Sequence, residues 1–213
     1  MEQTNQQPNV WVAGSHSLGQ LWAIDETGSS TIETGWTEAP GQYSDVEPHL
    51  FVAREDGGSY APESGYIGGA GIPWVQVSET KFPNMVVTHD DRVHSYAVEE
   101  RSGNWWVWYD GAWIGYIPHS AWPRHFPAVN LIEDGGEVAT PEQTTCTDMG
   151  NSLFGTQANS ATVTYGWWLT TSYGKAVHFE GHKTADETQY NVGQWLPNHN
   201  EPFGFHYGGP GWC

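Results

Sequence analysis

Positive charge is scarce: seven Lys and Arg stand against 25 Asp and Glu, for a formal net charge of −18. So few cations cannot build the basic patch a nucleic-acid partner needs, and none is expected. Cysteine is nearly absent, with two in 213 residues, which excludes both a disulfide framework and a four-thiolate zinc site. No apolar run is long enough for a membrane helix, and no membrane association is expected. Gly-x-Ser-x-Gly and the phosphate-binding Gly-rich loop are both missing, so neither a serine-elbow hydrolase nor a nucleotide cofactor is indicated. No cofactor of any kind is expected.

Helix-favouring runs are also few. In their place stand 13 Trp, 10 Tyr, 7 Phe and 26 Gly, a mixture that favours strands and turns. Strand signals cover Asn9–Val12, Leu18–Ile24, Thr31–Glu38, His49–Ala53, Tyr66–Ile67, Pro73–Ser78, Met85–His89 and Val93–Glu100. Further signals cover Val129–Ile132, Ala161–Thr171, Val177–Glu180 and Phe203–Tyr207. Asp110-Gly111 between Trp105–Tyr109 and Ala112–Ile117 predicts a tight hairpin with a primed turn. Pro118–Arg124 reads as one short helix. Many short antiparallel strands predict an all-β sandwich with a curved sheet that forms a substrate cleft. The expected layout is a polar, disordered tail over residues 1–8 and one catalytic domain over 9–213. The tail has no signal-peptide core, so the residues alone leave cytosolic and secreted origins open. The acidic balance has two readings as well, a self-repelling soluble surface or adaptation to acid.

His178 and His182 have a zinc-ligand spacing, but only on a helix. Along a strand their side chains would stand about 13 Å apart, and no metal site is expected. Two glutamates carry more. Period-two alternation puts Thr31, Glu33 and Gly35 on one face of their strand, and Ile32, Thr34 and Trp36 on the other. Glu137 follows Gly135-Gly136, where glycines permit close backbone approach. Most strand glutamates are merely solvated and Gly-Gly is often a plain turn, so patterning leaves this pair open.

Several blocks narrow the choice. Gln20-Leu21-Trp22, Thr31-Ile32-Glu33-Thr34-Gly35-Trp36, Tyr43-Ser44-Asp45 and Leu50-Phe51-Val52 come first. Ser102-Gly103-Asn104-Trp105-Trp106, Ile114-Gly115-Tyr116-Ile117-Pro118, Gly135-Gly136-Glu137-Val138 and Tyr207-Gly208-Gly209-Pro210-Gly211 follow in order. In content, order and spacing the chain resembles the plant and bacterial neprosin family over most of its length. That resemblance implies a glutamic endopeptidase on a β-sandwich, cutting after proline in acidic surroundings, with Glu33 and Glu137 as the catalytic pair. It further implies a secreted, monomeric protein whose partner is a proline-containing peptide or protein.

The chain departs from the family in places. Gly115-Tyr116-Ile117-Pro118 replaces Gly-Tyr-Trp-Pro. The paired cysteines that plant members carry near Ser59 and Glu63 are missing, and His199 stands where the terminal cysteine's usual partner would be. Cys146 is then the candidate partner for Cys213, and no plant-type activation peptide is seen.

The expected chemistry is a carboxyl pair holding one shared proton, one member acting as base on a water and the other as acid. Trp36 and Tyr116 are the candidate walls of a proline pocket, with Gln20 a polar helper. Core packing is the competing role for both aromatics. A glycoside hydrolase or a carbohydrate-binding β-sandwich is the alternative function, since both use carboxyls or aromatic platforms.

Overall fold

The structure is a computed structural model. It describes residues 1–56, 65–66, 73–90, 92–122, 126–141, 146–164, 167–170, 173–176, 187–198 and 201–211. The strands are β1 (Glu2–Thr4), β2 (His16–Ile24), β3 (Ser30–Glu38), β4 (His49–Asp56) and β5 (Gly65–Tyr66). After them come β6 (Val75–Gln76), β7 (Val93–Arg101), β8 (Asn104–Tyr109), β9 (Ala112–Ile117) and β10 (Leu131–Ala139). The last are β11 (Ala161–Thr164), β12 (Trp167–Thr170), β13 (Tyr173–Ala176), β14 (Asn191–Asn198) and β15 (Glu201–Gly208). Among the described residues the only helical element is a single 3-10 turn at His119–Ala121.

The chain is all-β, as its composition predicts. One antiparallel sheet has eight strands in the order β14-β15-β11-β1-β7-β8-β9-β6, a second has five in the order β10-β2-β3-β4-β5, and β12 and β13 pair separately as a two-stranded sheet. The two large sheets form the sandwich. They face each other across one apolar core. Leu21, Ala23, Ile32, Trp36, Leu50 and Val52 enter it from the smaller sheet. Tyr96, Trp105, Val107, Ile114, Ile117, Val163, Phe205 and Tyr207 enter it from the larger. Alternation along each strand sorts apolar residues inward, which makes this arrangement a sandwich. Asp110 and Gly111 both take positive φ, 40° and 85°, as the primed turn requires.

Some expectations need correction. Residues 1–8 do not begin with a disordered tail: β1 lies in the interior of the larger sheet, between β7 and β11. Gln3 in this strand and Asn5 just after it are fully buried. Gln3 Nε2 donates to Gly19 O at 2.9 Å, and the Tyr96 hydroxyl donates to Asn5 Oδ1 at 2.6 Å. Polarity misleads here because the partners that satisfy these groups lie far away in sequence. Asn9–Val12 forms no strand, and Met85–His89 contributes only the isolated bridge from Val86 to His49. The strand that begins near Val129 runs on through both glycines to Ala139. Val177–Glu180, His178, His182, His199 and Cys213 lie outside the described residues. Cys146 is disulfide-bonded.

Candidate active site

Glu33 and Glu137 lie on one sheet face. In β3, Ile32 and Trp36 point into the core, so Glu33 points outward from the five-stranded sheet. In β10, Gly136 lies over the ring of Tyr207 on the inner side, which turns Gly135 and Glu137 outward. Strand β2 runs between them and pairs without a break on both sides. Its Trp22 faces Glu33 and Glu133, Gln20 faces Gly35 and Gly135, and Leu18 faces Thr37 and Glu137.

The two glutamates are therefore two strands and four register positions apart. On a flat sheet that is roughly 17 Å between α-carbons. Each glutamate keeps its own partners. Gln20 Nε2 donates to Glu137 Oε2 at 3.1 Å, and His16 Nε2 lies 3.4 Å from Glu137 Oε1. The Thr31 hydroxyl donates to Glu33 Oε1 at 3.4 Å. Neither carboxyl hydrogen-bonds the other, so the expected pair sharing a single proton is replaced by two separately held groups flanking Gln20.

Their environments differ. Burial pushes the Glu33 carboxyl up to about 8, and the negative charges of Glu137 and Glu55 push the same way, against the Thr31 bond. Leu18, Phe51 and Ala53, on the same face, form a small second cluster of buried apolar residues, so this part of the sheet is sheltered from water. The Glu137 side chain is 45% exposed and receives the Gln20 N–H. A carboxyl raised to about 8 thus shares the sheet face with a second one held by Gln20. That asymmetry is what acid–base chemistry on a polar bond requires.

The other named residues divide. Gln20 is at the centre of the site, nine-tenths or more buried. Trp36 is not: fully buried in the core, it packs behind the sheet whose outer face carries Glu33, and it is no pocket wall. Tyr116 is not brought to the pair either. It pairs with Trp106, across from inward-facing Trp105 and Val107, so it lies on the outer face of the other sheet with its ring 4.6 Å from that of Trp106. The sandwich separates it from Glu33.

Against this geometry, the profile of one protein family matches residues 13–210, the family described as Neprosin. The chain belongs to the Neprosin family. The match spans β2 through β15 and so includes Gln20, Glu33 and Glu137. The Neprosin family is associated with proteolytic enzymes.

Sequence reasoning missed two neighbours in this site, Trp22 and His16. Trp22 is directly opposite Glu33, and its indole Nε1 is buried without a partner among the described residues. Period two from Gln20 would have placed it on the same face. The same alternation places Thr31 beside Glu33, and the Thr31 hydroxyl bonds that carboxyl. His16 carried no usable signal, because only the pairing of β2 with β10 brings it to Glu137.

Proposed function

We propose that this protein is a glutamic endopeptidase that hydrolyses peptide bonds in acid and prefers to cut after proline, with Glu137 as general base and Glu33 as general acid. The observation that carries this reading is the placement of two outward-facing glutamates on either side of Gln20, which donates to Glu137, while Glu33 is raised to about 8. The cut after proline and the acidic working range rest on the family resemblance.

In this mechanism Glu137 accepts a proton from a water as its oxygen attacks the scissile carbonyl carbon. Glu33 donates its proton to the carbonyl oxygen. When the tetrahedral species collapses, the C–N bond breaks and the departing amine takes the proton held by Glu137. The hydroxyl proton returns to Glu33, and no covalent enzyme intermediate forms. Gln20 and His16 orient Glu137 for this cycle. Trp22 replaces Trp36 and Tyr116 as the aromatic wall for a proline ring, since aromatic faces suit a ring without an N–H. The protein is proposed to work as a secreted monomer on proline-containing polypeptides.

The test is a peptide series varying only the residue before the cut, incubated at mildly acidic pH and mapped by mass spectrometry, with a β-glucan as control. Cleavage after Pro well above cleavage after Ala is expected. Equal cutting after both removes the proline preference, and glucan hydrolysis without peptide cleavage removes the peptidase.

A further inference from the structure

Glycine inside a strand weakens it, by roughly 0.5–1 kcal/mol relative to alanine, so each one calls for a reason. The sandwich supplies reasons at nearly every described glycine. A Cβ at Gly136 would meet the Tyr207 ring, one at Gly19 would meet the Tyr207 hydroxyl at 2.6 Å, and one at Gly35 would strike the Gly19 carbonyl. Gly28 and Gly111 have open space but positive φ, 68° and 85°. Gly135 has neither. Nothing lies within 4 Å of where its Cβ would be, its φ is outside the left-handed region, and β10 pairs with β2 through it without a bulge. Among the described glycines whose surroundings are defined, it alone has no packing or backbone reason to be glycine.

Its place in the sheet gives it one. Gly135 faces outward, two residues before Glu137 and directly opposite Gln20. Its row, Gly135-Gln20-Gly35, lies between the row of Glu33 and the row of Glu137. The only side chain in these three positions belongs to Gln20, which is itself buried, and the strip between acid and base is open at Gly135, where nothing lies within 4 Å of a Cβ.

We propose that Gly135 is a specificity-determining position, its missing side chain leaving the space in which an extended polypeptide lies while its scissile carbonyl sits between Glu137 and Glu33. This rests on the peptidase reading above. A substrate bound here must bring main chain close to β10, and a Cβ projecting from the floor would lift it away from both carboxyls. The position thus selects substrates that run across the strip in extended form.

Gly135→Ala and Gly135→Val test it, measured by peptide kinetics and thermal unfolding, with Gly136→Ala as the structural comparison. Both Gly135 variants are expected to fold with Tm at or above wild type. Their kcat/KM should fall at least tenfold for Ala and further for Val, mainly through KM. Gly136→Ala should instead lose Tm, because Tyr207 occupies its space. Wild-type kinetics in Gly135→Ala, or a large loss of its Tm, overturns the proposal while leaving the peptidase reading intact if wild type cuts peptides and Glu137→Gln does not. A wild-type protein that cuts no peptide overturns both.

Discussion

Gln20 and Glu137, 117 residues apart in sequence, are joined by a 3.1 Å hydrogen bond from Nε2 to Oε2 across the β2–β10 pair. The bond fixes one oxygen of an otherwise exposed carboxylate, while His16 lies near the other. Among the described residues Glu33 accepts only the Thr31 hydroxyl, and it is partly buried, with its carboxyl raised to about 8. Every prediction about catalysis follows from this inequality.

Replacing either glutamate removes one half of the proton traffic. Glu33→Gln and Glu137→Gln should each lower kcat by about a thousandfold or more, with the fold retained by circular dichroism. Gln20→Ala leaves the base in place but loosely held, so a loss of about tenfold in kcat is expected with little change in KM. Near-normal turnover in either glutamate variant would remove the assignment.

The pH–rate profile should show an alkaline limb near the value of about 8 to which Glu33 is raised. Above it the acid has lost its proton. The charge of Glu55 helps raise Glu33. Glu55→Gln should therefore move the alkaline limb to lower pH, and an unmoved limb would show that a different group controls it.

Stability should be greatest in acid. Glu33 and Glu38 are both raised from 4.5 to about 8, chiefly by burial. Between those limits the folded chain binds more protons than the unfolded one, so stability falls as pH rises through the window. His94 adds to the trend, since its ring nitrogens face Asp110 at 2.6 Å and Asp90 at 3.3 Å and its pKa is raised by them. Its contribution is full below the ordinary 6.5 and lost as pH rises through the raised value. Asp45 and Asp110 are lowered from 3.8, so their support disappears only in stronger acid. Tm measured across pH should peak between about 4 and 5 and decline toward 8, the total change being on the order of a few kcal/mol. A Tm that rises over that range would contradict the burial of these carboxyls.

Two changes should damage folding first. Trp36→Ala empties a fully buried site and should cost about 3–5 kcal/mol. Removing residues 1–5 deletes an interior strand and leaves Gly19 O and the Tyr96 hydroxyl without the partners Gln3 and Asn5 supply. Loss of a cooperative thermal transition is expected. A truncated chain with unchanged Tm would return the segment to the status of a tail.

Much of the fold was legible because strand information is local. Aromatic and glycine content, turn punctuation and the Asp110-Gly111 pair all act over a few residues, and the structure follows them. Alternation also told more than was drawn from it. By period two Trp36 already faces away from Glu33, which excludes it from a pocket beside that glutamate. The interior place of β1 could not be read in the same way, since Gln3 and Asn5 are ordinary polar residues until Gly19, Thr88 and Tyr96 surround them.

By itself the sequence determined an all-β chain, its main hairpin, and the two acidic blocks that the family pattern singles out. Tertiary structure alone decided that β2 would lie between β3 and β10, putting the row Gly135-Gln20-Gly35 between Glu33 and Glu137. It also decided that the Glu33 carboxyl is raised far above its ordinary value. Burial and the field of distant charges set that value, and both depend on residues that only folding brings together.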